Sequence, residues 1–131
     1  MNIEAKTKIL VLDDEPIVLK RLGPALEKAG YVVEVYSRSA DAFNRIQEAE
    51  FDIVITDLKM EGLDGMQFLL EVKERSPRTE VIVITGFATM ETARESYQKG
   101  VFDFLAKPFK LGDILETVKK ARLKMEQTHQ A

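Results

Sequence analysis

Five polar residues stand directly after short apolar runs, and together their side chains could do chemistry. They are Asp13 and Asp14 after the first run, Asp57 after the third, Thr85 after the fourth and Lys107 after the fifth. Three carboxylates held close together repel one another unless a cation compensates, and a hard divalent ion with oxygen ligands does this best. Since Mg²⁺ is typically held by one or two carboxylates and a phosphate oxygen, the set predicts a magnesium site that acts on a phosphate.

The remaining residues of the set fit a phosphate as well. Lys107 has a compact charge with three donors, so it could pair with Asp57 at rest and with a phosphoryl oxygen later. Thr85 could donate its hydroxyl to another oxygen, and Gly86 leaves room for the group. Each residue alone has an ordinary explanation, because adjacent acids often cap helices and lysines usually lie in solvent. Their joint position at the ends of one repeating pattern favours a functional site.

The elements that must position these residues are repeated βα units. Short apolar runs alternate five times with amphipathic stretches, a pattern typical of a parallel sheet with helices on both faces. The predicted strands are 9–12, 31–35, 53–56, 81–84 and 102–106. The predicted helices run from Asp14-Glu15-Pro16 to a stop at Gly30, from a Ser39 cap to Glu48, from about Met66 to just before Pro77, from Thr89 to Lys99 with a stop at Gly100, and from Leu111 to about Met125.

In an open parallel α/β sheet, ligands bind outside the carboxyl ends of the strands. All the polar residues of the set are therefore expected at one edge. The segment 59–65 is predicted to be a loop with two glycines for turn conformations, and the apolar residues Leu69 and Val118 are predicted to be core packing.

Composition limits the classes of protein that remain. The 131 residues, 45% hydrophobic and 31% charged, predict one globular domain. Neither a 20-residue apolar run nor the apolar region of a secretory signal is present, so a cytoplasmic protein is expected. The chain has no cysteine, and its one histidine, His129, falls in a predicted polar tail. A net charge of −3 predicts no direct binding to nucleic acid.

Four sequence motifs resemble those of response-regulator receiver domains of two-component systems. The matching stretches are 11–15 (VLDDE), 56–60 (TDLKM) with Asp64-Gly65, Thr85-Gly86 and Lys107-Pro108-Phe109. The resemblance implies an α/β, three-layer (βα)5 flavodoxin-like fold with strand order 2-1-3-4-5. It also implies that residues 1–131 form a single receiver domain with a core of about 7–125.

The resemblance also implies roles for individual residues. Asp57 would be the phosphoacceptor, and it would bind Mg²⁺ together with Asp13, Asp14 and the backbone carbonyl of Lys59. Thr85 and Lys107 would contact the phosphoryl group. Phe104 would be the switch aromatic, the side chain that turns inward when Thr85 moves toward the phosphoryl group. The peptide bond between Lys107 and Pro108 would be cis.

A phosphoryl donor must come from outside, because no GxxxxGK[ST] loop is present to hold ATP. The resemblance implies a sensor histidine kinase carrying phosphohistidine. The chain is then expected to be a signalling domain and not an enzyme, with at most self-phosphorylation from small donors and autodephosphorylation. Its response should travel from Thr85 to a face formed by the fourth helix, fifth strand and fifth helix, where a partner or a second receiver docks. Residues 84–89 and 106–109 are similar to receivers of nitrogen-regulation-type transcription activators.

Two other classes remain as alternatives. An aspartate-nucleophile phosphatase of the haloacid dehalogenase type also forms an aspartyl phosphate with Mg²⁺. Such enzymes carry an acidic residue two positions after the nucleophile, where this chain has Lys59. A flavodoxin-like electron carrier would need a hydroxyl- and glycine-rich loop after the first strand. The acids Asp13, Asp14 and Glu15 stand there and would repel a flavin phosphate.

Overall fold

A computed structural model describes residues 6–60 and 63–130. Five strands form the main sheet: β1 (Lys8–Leu12), β2 (Val32–Tyr36), β3 (Ile53–Thr56), β4 (Glu80–Thr85) and β5 (Asp103–Ala106). Five helices follow them in turn: α1 (Pro16–Lys28), α2 (Ser39–Glu48), α3 (Gly65–Arg75), α4 (Met90–Gln98) and α5 (Leu111–Gln130). The predicted α/β fold is confirmed.

The sheet has the order β2-β1-β3-β4-β5, and every neighbouring pair is parallel. This is the predicted order 2-1-3-4-5. The register pairs Leu12 with Thr56, and Thr56 with Val83. It also pairs Thr85 with Ala106 at the far end of β4. The residues that follow β1, β3, β4 and β5 therefore emerge at the same edge of the sheet.

Two cores lie on opposite faces of the sheet, because successive side chains of a strand point to opposite sides. On β1, Ile9 and Val11 pack with α1 and α5, whereas Leu10 and Leu12 pack with α2 and α3. The strands β3 and β4 alternate in the same way. Leu69 and Val118 are fully buried, one in each core, as predicted.

Helix α4 is the least buried of the five, with Ser96 as its one buried residue. It begins with a capping box in which Thr89 and Thr92 bond each other's backbone N–H. It ends at Gln98, and Gly100, where φ is +94°, follows the end of the helix. Met90 is 82% exposed. The polar helix predicted at 89–99 is present, and it is held to the sheet by few apolar contacts.

Several predicted boundaries differ from the structure. The strand predicted to begin at Tyr31 begins at Val32, because the Tyr31 N–H closes the end of α1 by bonding the Leu26 carbonyl beside Gly30 (φ +103°). The strands predicted at 81–84 and 102–106 run over Glu80–Thr85 and Asp103–Ala106. The helix predicted to end near Met125 continues to Gln130, so His129 lies on the last turn of α5 and not in a tail.

The predicted Ser39 cap is wrong. Ser39 is already the first helical residue of α2, and the extended residue before it is Arg38, for which the described residues contain no side-chain cap bond.

The segment 59–65 is not a simple loop. Lys59–Met60 and Leu63–Asp64 form a short antiparallel pair, and Gly62 lies outside the described residues. Gly65 does not supply a turn conformation, since the described positive-φ glycines are Gly30 and Gly100. An added Cβ at Gly65 would lie 2.5 Å from Leu58 Cα and 2.6 Å from the Leu58 carbonyl oxygen, and it would also meet the Asp57 carbonyl oxygen. Gly65 is needed because α3 starts against the backbone that carries Asp57.

Candidate functional site

Strand ends bring four of the predicted side chains to one place. Asp13 follows β1, Asp57 follows β3, Thr85 ends β4 and Lys107 follows β5. Backbone bonds continue the ladders past the strands, with the Asp57 N–H donating to the Leu12 carbonyl (3.3 Å) and the Lys107 N–H donating to the Thr85 carbonyl (2.8 Å). These bonds fix the side chains relative to one another, because they extend the rigid sheet into the site.

Lys107 lies at the centre of the charges. Its Nζ is 2.7 Å from Asp13 Oδ2, 2.8 Å from Asp57 Oδ2 and 2.5 Å from Glu15 Oε1. Asp13 and Asp57 are buried, whereas the Glu15 side chain is 53% exposed at the mouth. One ammonium thus faces three carboxylates, which leaves the site with an excess of negative charge.

The Asp57 carboxylate is held at both oxygens. The N–H groups of Leu58 and Lys59 donate to Oδ1 at 2.6 and 3.3 Å. Oδ2 accepts from the Lys107 ammonium. The carboxylate is therefore fixed in orientation, with one oxygen on the backbone and the other on a side chain that can move.

Burial and hydrogen bonds shift the pKa values of Asp13 and Lys107. Burial raises the pKa of Asp13 above its ordinary value, although the hydrogen bond from Lys107 opposes the shift. Burial alone would lower the pKa of Lys107, but its hydrogen bonds to Asp13, Asp57 and Glu15 outweigh this and raise that pKa. Lys107 is therefore a permanent cation in the pocket.

Thr85 and Phe87 form the other side of the site. Thr85 is fully buried, and its hydroxyl oxygen accepts the Phe87 N–H at 3.1 Å. The Lys59 ammonium lies 4.6 Å from the centre of the Phe87 ring, a cation–π contact between the segments that follow β3 and β4. An added Cβ at Gly86 would meet no described atom within 4 Å, so the chain leaves open space there.

The structure brings most of the predicted site residues together, and it adds Glu15 to the group of carboxylates. Ligand oxygens of Asp13, Glu15 and Asp57 lie within 4.8 Å of one another, a set of hard donors suited to a divalent cation. Asp14, which was predicted to be a ligand, is exposed and is not in this group. Glu15 is a residue of this cluster that the sequence did not predict to be part of the site. Its acidic type next to Asp13-Asp14 was the one available signal.

The remaining predicted features lie on the chain segments that carry Asp57 and Lys107. The Lys59 backbone N–H donates to the Asp57 carboxylate, while Lys59 itself is exposed. Phe104 is half-buried against the core on the α2 and α3 side. The peptide bond between Lys107 and Pro108 is cis, as predicted.

The chain belongs to the response regulator receiver domain family, whose sequence model matches residues 9–119. It is therefore a receiver domain of a two-component response regulator, a signalling domain. The match does not support the phosphatase alternative.

Curated relatives are transcriptional regulators. The transcriptional regulatory protein ZraR of Salmonella typhimurium is 33% identical over 126 residues, which cover 96% of this chain and 29% of ZraR. The DNA-binding transcriptional regulator NtrC of Escherichia coli K12 is 30% identical over 113 residues, covering 86% of this chain and 24% of NtrC. The chain is thus related to NtrC-type activators, as the sequence predicted, and it spans about a quarter of the length of these relatives.

Solved structures agree with this assignment. A CheY-like receiver domain protein from Methanospirillum hungatei superposes with a TM-score of 0.91 at 26% identity, covering 95% of this chain and 99% of that one. The beryllofluoride-activated NtrC4 receiver domain dimer superposes with a TM-score of 0.84 at 36% identity, covering 90% of this chain and 98% of that one. Among the described residues, no helix is long and apolar enough to cross a membrane.

Proposed function

We propose that Asp57 accepts a phosphoryl group from the phosphohistidine of a sensor histidine kinase in a Mg²⁺-dependent reaction. The observation that carries the proposal is the buried Asp57 carboxylate, anchored at Oδ1 by two backbone N–H groups and paired at Oδ2 with Lys107. A carboxylate fixed in this way is suited to in-line attack on phosphorus, which depends on positioning and on charge neutralisation.

The acidic cluster fits a magnesium ion. Asp13 and Asp57 would hold it directly, with Asp14 and the Lys59 backbone carbonyl as further oxygen donors, while Glu15 stays paired with Lys107. When bound, Mg²⁺ would neutralise charge that develops on the phosphoryl oxygens. Lys107 supplies a second positive charge from the protein itself, and the Thr85 hydroxyl can reorient from Phe87 toward a phosphoryl oxygen.

Phosphorylation would then change the conformation of the α4–β5–α5 face. A ligand shifts an equilibrium only through contacts that differ between two states, and the Thr85 hydroxyl bond is such a contact. Helix α4 buries one side chain, and Phe104 lies half-buried on the neighbouring strand β5. The exposed Met90 and Tyr97 suit this face to a partner or a second receiver. The beryllofluoride-activated NtrC4 receiver domain is a dimer, which supports a second receiver as a partner of this chain.

We propose that residues 1–131 act as a single receiver domain with a core of about 7–125. In this role the domain would control transcription from within the cytoplasm without touching nucleic acid itself. The transcriptional regulators among its relatives and the net charge of −3 support this role. As a domain that is not an enzyme, it would do no more than phosphorylate itself from small donors and hydrolyse its own acyl phosphate.

The decisive experiment is intact-mass measurement after incubation with acetyl phosphate and Mg²⁺. Wild type should gain one phosphoryl mass and Asp57→Asn should gain none, because an amide is a poor nucleophile. Asp41→Asn on the surface of α2 makes the same chemical change and should behave as wild type. Undiminished phosphorylation of Asp57→Asn would place the acceptor elsewhere.

A further inference from the structure

The two oxygens of Asp57 differ in what holds them. Oδ1 accepts from two backbone N–H groups, those of Leu58 and Lys59. Oδ2 accepts from Lys107 Nζ, the end of a side chain with four rotatable bonds. Oδ2 is therefore the oxygen that can be freed, and it is covered by an ammonium until Lys107 moves.

The other two partners of Lys107 are unlike each other. Asp13 is buried and tied through Oδ1 to the Glu15 N–H at 2.9 Å, so its carboxylate is fixed deep in the pocket. The Glu15 side chain is 53% exposed, and its carboxylate contacts Lys107 from the mouth of the pocket. Glu15 thus offers the Lys107 ammonium a carboxylate that is more exposed to solvent than that of Asp57.

We propose that Glu15 is a positioning residue that draws Lys107 off Asp57 and so uncovers Oδ2 for attack. The proposal rests on the proposed function of Asp57 as phosphoacceptor. As Oδ2 forms its bond to phosphorus, the P–O bond of an acyl phosphate or the P–N bond of phosphohistidine breaks, and its electron pair leaves with the donor. Lys107 stays on Asp13 and Glu15 during attack, and its ammonium then pairs with an oxygen of the transferred group.

The role is testable, because general electrostatics and a positioning role predict opposite effects of Glu15→Gln on the rate of phosphorylation. The phosphoryl donor is an anion, so removing a negative charge at the mouth should speed its arrival. A positioning role predicts that Glu15→Gln slows phosphorylation, because Lys107 then remains on Asp57. Loss of one charge-assisted hydrogen bond should lower the second-order rate constant for acetyl phosphate about tenfold. Glu15→Asp keeps the charge but shortens the reach, so its rate should be intermediate.

The experiment compares rate constants by intact-mass time courses with Mg²⁺ present. Glu27→Gln, on the exposed side of α1, makes the same charge change away from Lys107 and should leave the rate unchanged. In a Lys107→Met background, adding Glu15→Gln should have no further effect, because the residue through which Glu15 acts is gone. A merely structural role of Glu15 would slow both backgrounds equally.

A Glu15→Gln rate equal to or above wild type would overturn the proposal, as would an equal slowing in the Lys107→Met background. If Lys107→Met proves too slow to time, the Asp57 ¹³Cγ resonance of the unphosphorylated protein decides. That resonance should shift in Glu15→Gln and not in Glu27→Gln, and an unmoved resonance refutes the role of Glu15. Phosphorylation that persists in Asp57→Asn would refute the proposed function itself. A wild-type rate in Glu15→Gln with an inert Asp57→Asn would refute only the positioning role.

Discussion

Gly65→Ala should separate the need for space beside the Asp57 backbone from the ordinary preference of helices for alanine. Gly65 begins α3, and its N–H donates to the Leu58 carbonyl at 2.8 Å. An alanine Cβ would lie 2.5 Å from Leu58 Cα, a distance that requires backbone to move. The side chain would therefore push on the segment that holds Asp57.

The expected magnitude follows from two opposing contributions. Alanine is favoured over glycine inside a helix by about 1 kcal/mol. Overpacking a filled site costs about 1–3 kcal/mol, and a clash with backbone belongs at or above the top of that range, since no flexible side chain can turn away. The net loss in the free energy of unfolding should be about 2 kcal/mol. For a chain of this size, that lowers Tm by roughly 6–10 °C.

Gly112→Ala is the matched control. Gly112 also lies in the first turn of a helix, α5, but a Cβ added there would meet no described atom within 4 Å. Its alanine variant should be as stable as wild type or more stable by up to about 1 kcal/mol. Urea unfolding gives both free energies, and acetyl phosphate labelling of the folded Gly65→Ala protein should be slow because the Asp57 backbone is displaced. A Gly65→Ala protein as stable and as readily phosphorylated as wild type would refute this account of the glycine.

Three further expectations concern other parts of the molecule. Hydrogen bonds from Arg45 lower the pKa of Glu34 from 4.5 to about 2, so their stabilisation is complete above about pH 4.5 and is lost as pH falls toward 2. Because the pair is partly exposed, acid unfolding curves of wild type should show a loss of only about 1–2 kcal/mol that Arg45→Gln lacks. Ser96→Ala should leave stability unchanged or raise it by about 1 kcal/mol in urea unfolding, because the buried Ser96 hydroxyl has no hydrogen-bond partner among the described residues. A Ser96→Ala protein that is less stable than wild type would indicate a hydrogen-bond partner for this hydroxyl. Thr85→Ala should still be phosphorylated at Asp57, yet the NMR shifts of Phe104 and residues 86–100 should respond little to a phosphoryl mimic. A full response would remove Thr85 as the trigger.

The sheet and most of the site could be predicted because both depend on local signals. Apolar runs of four to six residues bounded by polar ones identify buried strands, and parallel strands must deliver their following residues to one edge. Asp13, Asp57, Thr85 and Lys107 were found in this way. Helix ends marked by Gly30 and Gly100 were also correct, since only glycine readily takes the positive φ that closes these helices.

The errors concern contacts that local patterns do not contain. The pairing of Glu15 with Lys107 joins residues 92 positions apart. Whether Glu15 joins Asp13 at the lysine depends on the path of the turn after β1. The chain enters α2 one residue before Ser39 could cap it, because Arg38 is the last extended residue. The cation–π contact between Lys59 and Phe87 likewise joins two segments that become neighbours only through the pairing of β3 with β4.

The charge cluster around Lys107 also links phosphorylation to the completion of folding. Lys107 reaches Asp57 across 50 positions of sequence and Glu15 across 92, so the ion pairs form only after β5 has joined the sheet. Contacts between such distant positions form late and slowly, because closing a long loop costs entropy before the contact is made. A chain still emerging from the ribosome, or one cut before β5, would carry Asp57 without the lysine that neutralises it. Such a fragment would not transmit a signal, and only the finished domain would be competent to receive one.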